Sequence, residues 1–314
     1  MKLCGVPIDF LIVSVLATTL RVATPLVLGG ISGLYSERSG VVNIAIEGMM
    51  LMGAFFAYVA GVISGSLWYG LVAGMLGAAL LALLHAWLAI TYKVDQIISG
   101  TVVNILAVGI TTFFADTYFS RNATATSSLG QWAIPFLSDI PVWGRLVIQQ
   151  PLVWISLMLV ILTHFVMYFT RWGLRTRAVG EHPRAADTVG VNVFFMRYVN
   201  VLLSGAIAGL GGAYFIAEVT IFSPGMTAGR GFIALAALIF GKWTPFGVWG
   251  AALLFGFAQA LQINIQQCGL EIRPGEPFPN QIIGTIPYVL TIIVLAGAVG
   301  RSTPPAAVGV PYEK

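Results

Sequence analysis

The sequence predicts an all-α, polytopic transmembrane bundle of about nine spans, with one short cytoplasmic helix between two of them. Three observations carry this. Charged residues make up only 9% of the 314 residues and hydrophobic residues 58%, whereas a soluble domain carries roughly a quarter charged residues. Mean hydropathy is +0.89. Apolar runs recur from end to end at about 20 residues, the length that crosses a bilayer as a helix. So few charges cannot coat a globule of this size, which excludes a soluble enzyme, a nucleic-acid binder and a disordered scaffold. The runs are too long and continuous for barrel strands, and helices are the other structure that satisfies every backbone group in lipid. No linker or composition shift divides the chain, so residues 1–314 read as a single membrane domain.

The spans read as 8–34, 41–64, 67–92, 97–119, 151–170, 194–217, 226–240, 246–267 and 281–300, with eight to ten as the range. Segment 8–34 is long for one span and holds Arg21 near its middle. Segment 226–240 is short and lies between Gly-rich stretches, as a half-helix would. Nine spans put the amino terminus outside. Arg171, Arg175, Arg177 and Arg184 form the densest basic cluster, so 171–192 is cytoplasmic. Alternation then places Arg38, Lys93, Arg197, Lys242, Arg301 and Lys314 inside as well, and Lys2, Arg121, Arg145, Arg230 and Arg273 outside. This asymmetry explains the net charge of +4 without nucleic acid. The longest loop, 120–150, is external, and its Trp132 and Trp143 suit the membrane interface. Cys4 and Cys268 make no CxxC pair and no metal pattern, and no metal site is expected.

Three constellations carry chemistry. In Ser36–Gly48, Asn43 and Glu47 are four apart, which puts them on one helix face. An ionisable group inside a span is costly and faces a cavity or a partner. The pair lines a solute pathway, pins a discontinuous helix, or serves as interhelical hydrogen-bonding residues. In Gln96–Asn104, the stripe Gln96, Gly100, Asn104, with Ser99 beside it, admits another backbone or a solute. The plainer reading is small-residue packing, as at Gly70/Gly74 and Gly205/Gly209. Gln259 and Gln262 share a face of the eighth span, with Asn264 nearby. They hydrogen-bond either a polyhydroxyl solute or a neighbouring helix. Asp116 and Glu218 lie at external ends and reach water, while His85 and His164 are expected to pack.

The third constellation is cytoplasmic. Pro183 suits the first turn of a helix and Gly190 its C′ position, framing a helix over 183–189 with a small face at Ala185 and Ala186. It is a docking element that passes motion from a cytoplasmic partner to the spans, or a basic loop that only sets orientation. The chain has no GxxxxGK[ST] phosphate loop, since Gly241-Lys242 is followed by Trp243. HExxH, GxSxG and Asp-rich clusters are also missing. It therefore has no recognised nucleotide site and no catalytic set.

The stretch Gly180-Glu181-His182-Pro183-Arg184-Ala185-Ala186 with Gly190 resembles the coupling-helix motif of membrane-spanning permeases of ATP-binding cassette (ABC) importers. The branch is the one serving ribose-type sugars, nucleosides and branched-chain amino acids. Ser39–Gly48, Asp95–Thr101 with Asn104, and the turn Gly241–Gly247 are similar to its nucleoside and simple-sugar subgroup. The likeness runs from about Leu28 to Gly300, and His182 stands where most relatives have Asn. The resemblance implies a nucleoside importer permease working by alternating access, with purine nucleosides favoured and a simple sugar as the alternative. Its candidate pathway residues are Asn43, Glu47, Gln96, Ser99, Asn104, Gln259 and Gln262. Its coupling residues are Arg175, Arg177, Gly180, Glu181, His182, Pro183, Arg184, Ala185, Ala186 and Gly190. It implies a partner cassette ATPase that carries the ATP and Mg, with no cofactor on this chain. A second, different permease chain and an extracytoplasmic solute-binding protein complete the machine, in a bacterial cytoplasmic membrane. The rival mechanism is an ion-coupled secondary transporter with Glu47 as the ion-linked group.

Overall fold

Apolar helices form wherever the sequence sustains about 20 hydrophobic residues, because the helix satisfies its own backbone. The computed structural model describes residues 2–3, 6–119, 124–133, 135, 138, 140, 142–267, 271–273, 276–277, 279–289, 292–293 and 302–314. A small hairpin of β1 (Lys2–Leu3) and β2 (Val6–Pro7) precedes α1 (Ile8–Arg38). Then come α2 (Ile46–Ser64), α3 (Leu67–Ala86, extended by a π-turn at Trp87–Thr91) and α4 (Gln96–Phe114, extended likewise at Ala115–Phe119). The short α5 (Gly144–Val147) leads to α6 (Pro151–Phe169), α7 (Arg171–Glu181) and α8 (Pro183–Thr188). The chain continues through α9 (Val193–Val219), α10 (Arg230–Phe240) and α11 (Pro245–Gln267). A second hairpin, β3 (Glu271–Arg273) with β4 (Glu276–Pro277), precedes α12 (Asn280–Ile283).

Among the described residues, seven helices are long and apolar enough to cross a membrane. They match seven of the nine expected spans. The expected span 226–240 is α10, whose 11 residues reach about 16 Å, half of a hydrocarbon core of about 30 Å. The expected span 281–300 is described only at 281–289 and 292–293, and the rest of it lies outside the described residues. The long first segment is one unbroken helix that includes Arg21 and Pro25. The Arg21 Nε donates to Oε1 of the buried Gln149 at 2.9 Å, which accounts for a guanidinium at that depth.

The interior is built on glycine. In lipid, helices gain little from burying apolar surface against each other, so close van der Waals approach decides packing. A Cβ on Gly53 would stand 2.4 Å from Gly209 Cα, and one on Gly209 would stand 2.4 Å from Gly74 O. These three glycines let α2, α3 and α9 touch backbone to backbone. Outward faces such as Ile105 and Phe113 on α4, and Met158 and Phe165 on α6, remain exposed, as a lipid-solvated surface requires. Asp116 and Glu218 are exposed, as expected.

The segments expected inside meet at one end. Arg38 Nε donates to Trp243 O at 2.9 Å, Lys93 pairs with Glu313 at 2.7 Å, and Ala307 N donates to Gly180 O at 2.8 Å. At the opposite end Thr126 N donates to Thr220 O at 2.9 Å, and Leu67 N to Ser127 Oγ at 2.9 Å.

Candidate functional site

Residues 41–45 are not helical, although the apolar pattern runs a span from 41. Gly40, at φ +92°, turns the chain back into the bundle, and α2 restarts at Ile46. Ile46 lies against Gly29 and Gly33 of α1, on the order of 10 Å inward from the end of that helix. Asn43 and Glu47 therefore do not share a helix face.

Irregular backbone at that depth must find partners in the protein. Val41 O accepts from Ser36 Oγ at 2.7 Å. The Val42 N–H donates to Gln96 Oε1 at 2.7 Å, and Val42 O accepts from His85 Nε2 at 2.9 Å. Asn104 bridges the restart of the helix: its Nδ2 donates to Ile44 O at 3.0 Å and its Oδ1 accepts from Gly48 N at 2.7 Å. His85 Nδ1 pairs with Ser99 Oγ at 3.0 Å. In the neutral ring the proton is assigned to Nε2, facing the carbonyl, so Nδ1 accepts from Ser99. Asn43 Nδ2 donates to Ser204 Oγ at 2.8 Å, and Ser204 pairs with Ser32 at 2.9 Å. A Cβ on Gly100 would stand 3.1 Å from Ala45 N, so the stripe on α4 admits a backbone. The two polar stretches are halves of one device, an unwound peptide and its clasp. His85, expected only to pack, belongs to it, and so do Ser204 and Ser32. His164 packs as expected, against Tyr168 and Phe246.

Glu47 reaches across to α10. Its Oε1 accepts from Thr227 Oγ1 at 2.7 Å and Gly229 N at 2.8 Å, and its Oε2 from Gly231 N at 2.6 Å. The N-cap position of α10 is Gly229, which has no side chain. Glu47 supplies the missing cap from another helix and meets the positive end of the helix dipole. This is the discontinuous-helix reading of Glu47. Arg230, counted with the external basic residues near the start of span 226–240, opens this half-helix, with its guanidinium 5.1 Å from the Phe215 ring centre. A parity count of full crossings cannot place a half-helix.

A cavity of about 770 Å³ opens beside α10, lined by Arg230, Phe232, Phe255, Gln259, Gln262 and Tyr288 among others. Gln259 and Gln262 are half-buried, and no hydrogen bond among the described residues engages either amide. Asn264 is spent on Ser14 Oγ and Ala260 O, at 2.9 and 2.8 Å. The structure thus brings Gln259 and Gln262 into a cavity. Asn43, Gln96, Ser99 and Asn104 do not line it. Glu47 stands behind it, holding the turn from which Ala228 and Arg230 project.

At the inner end α7 is capped by Thr170, whose Oγ1 accepts from Gly173 N at 3.2 Å. The helix breaks at His182, which makes no side-chain cap for α8. Gly190, at φ +84°, ends α8, with Gly190 N to Asp187 O at 2.9 Å and Val191 N to Ala186 O at 3.0 Å, a Schellman closure. Pro183 opens α8 and Gly190 closes it, as the sequence predicts. The two alanines do not share one face: Ala186 is buried and Ala185 exposed. Arg175, Arg184 and Glu181 are exposed, and Arg177 lies 5.0 Å from the Tyr168 ring centre. Gly180 is the joint, because a Cβ there would stand 2.2 Å from Arg38 O. The unit is thereby seated directly on α1.

Residues 15–307 match the family described as branched-chain amino acid transport system / permease component. The chain belongs to this permease family. It is 41% identical over 311 residues to the guanosine ABC transporter permease protein NupQ of Bacillus subtilis, covering 96% of each chain. It is 38% identical to the nucleoside ABC transporter permease protein NupC of Lactococcus lactis, again over 96% of each. TsgC13 of Haloferax volcanii, provisionally named a glucose ABC transporter permease protein, is 36% identical over 91% of this chain and 92% of its own. The permease is a multi-pass membrane protein of an ABC transport system, a transporter subunit rather than a catalytic one.

Proposed function

We propose that this permease forms part of the pathway of an importer for nucleosides, purine nucleosides above all, in a bacterial cytoplasmic membrane. The similarity to NupQ and NupC over nearly the whole chain carries the reading. The cavity adds chemistry to it. Two neighbouring carboxamides, Gln259 and Gln262, and the rings of Phe232, Phe255 and Tyr288 border one space. Amides suit the donor and acceptor edge of a base, and aromatic rings suit its face.

The energy comes from a separate cassette ATPase that holds ATP and Mg and docks at α7–α8. A second permease chain completes the pathway, and an extracytoplasmic binding protein delivers the solute. Closure of the cassettes moves α8, and Gly180 passes that movement to the end of α1. The two states differ in contacts at this joint, which is what a coupled equilibrium requires. Arg175, Arg177 and Arg184 are the basic residues of the docking face, with Glu181, His182, Pro183 and Ala185 between them.

The test is uptake of labelled guanosine by the assembled transporter, challenged with unlabelled inosine or ribose. Inosine is expected to compete and ribose to leave uptake unchanged. Competition by ribose alone would replace the nucleoside reading with a sugar.

A further inference from the structure

Residues 302–314 cross the inner end as a strap. Ser302 Oγ donates to Ile239 O at 2.7 Å, at the foot of α10. Ala306 N donates to Glu181 Oε2 at 3.1 Å and Ala307 N to Gly180 O at 2.8 Å, on the α7–α8 unit. Two residues later Gly309 N donates to Gly40 O at 3.2 Å, where the unwound peptide begins. Val310 O accepts from the buried Arg197 Nη1 at 3.0 Å. Tyr312 is buried with Val179, Ala186, Val193 and Met196. The strap therefore touches the coupling unit, the unwound peptide and the half-helix within a dozen residues.

It also leaves a groove. A cleft of about 710 Å³ runs between His182, Arg184 and Ala185 on one side and Val310, Pro311 and Glu313 on the other. Val310 is 54% exposed and Val189, at the end of α8, 78% exposed. Apolar side chains at the aqueous end of a membrane bundle, continuous with a docking helix, are what a protein partner covers.

We infer that residues 302–314 form the second wall of the groove that receives the cassette ATPase, and tie that groove to the unwound peptide at Gly40. This rests on the proposed docking of the ATPase at α7–α8. The occupant follows from continuity: α8 is one wall, and whatever seats on Ala185 also faces Pro311. Movement of the wall then reaches Gly40 through Gly309 without passing along α9.

The experiment uses the assembled complex, with Cys4→Ser and Cys268→Ser as background. Ala185→Cys and Pro311→Cys are each treated with a thiol-to-amine crosslinker. Capture of the ATPase at both positions is the expected result. Capture at Ala185→Cys alone overturns the second wall and leaves the proposed function standing. Loss of capture at Ala185→Cys overturns the docking reading beneath it. A chain ending at Ser302 is expected to hold the ATPase about tenfold less tightly, equivalent to about 1.4 kcal/mol. Undiminished affinity would also overturn the second wall.

Discussion

Glu47 Oε2 accepts the backbone N–H of Gly231 at 2.6 Å, and so joins the first turn of α2 to the first turn of α10. Both helices start inside the bundle rather than at its surface. The carboxylate is thus a structural cap for one helix carried on another. Replacing Glu47 by Ala leaves Thr227 Oγ1, Gly229 N and Gly231 N without their acceptor. Loss of an N-cap costs about 1 kcal/mol, and each hydrogen bond to a charged group about 1.5–3. Glu47→Ala is expected to lower uptake while the chain still reaches the membrane. Uptake equal to wild type at equal membrane content would contradict a role for this cap in transport.

The clasp and the cavity separate into two kinds of mutant. His85→Ala removes the donor to Val42 O and the partner of Ser99, leaving buried groups unmet at about 1–3 kcal/mol each. It should lower the unfolding temperature in detergent without changing which solutes compete. Gln259→Ala touches no clasp residue and removes no hydrogen bond among the described residues. It should raise the solute concentration for half-maximal uptake at unchanged stability. Competition assays beside thermal unfolding distinguish the two.

Gly180 meets Arg38 O where a Cβ would stand at 2.2 Å. Gly180→Val pushes α7–α8 off the end of α1. The expected result is ATP hydrolysis that no longer responds to solute, together with reduced uptake. Hydrolysis that tracks solute as in wild type would show that this joint transmits nothing.

Lys93 hydrogen-bonds Glu313 at 2.7 Å and holds its carboxyl below the usual carboxylate range, first by that bond and then by its charge. A carboxyl depressed in the folded state fastens the strap fully above its ordinary pKa. The fastening is lost as pH falls through the depressed value. A spin label at Pro311→Cys is expected to be held at neutral pH and to loosen in acid. Lys93→Ala should abolish that acid step. The effect is small and salt-sensitive, since both side chains are exposed.

Hydropathy sufficed for the seven long helices, and the shortness of 226–240 already marked α10. The break at 41–45 stayed hidden because Val41, Val42, Ile44 and Ala45 are apolar, and only Gly40 signals a stop. Besides Ser36 at the end of α1, its partners come from three helices: His85 from α3, Gln96 and Asn104 from α4, and Ser204 from α9. Each is a lone polar residue on an apolar run, a pattern that ordinary packing also produces. Asn43, Gln96, Ser99 and Asn104 were therefore legible as special, but not as a clasp. Gln259 and Gln262 were legible as a pair, and their cavity needed Arg230 and Tyr288 brought to them by the fold. The α7–α8 unit was the most legible part, because Pro183 and Gly190 act locally.

In the proposed function a partner ATPase drives solute through this permease. The most direct measurement is guanosine uptake into proteoliposomes holding the purified complex and the binding protein, with ATP enclosed and an uncoupler present. Uptake is expected to require ATP and to ignore the uncoupler. Uptake without ATP that collapses with the uncoupler would contradict it, and would make Glu47 an ion-linked group rather than a cap.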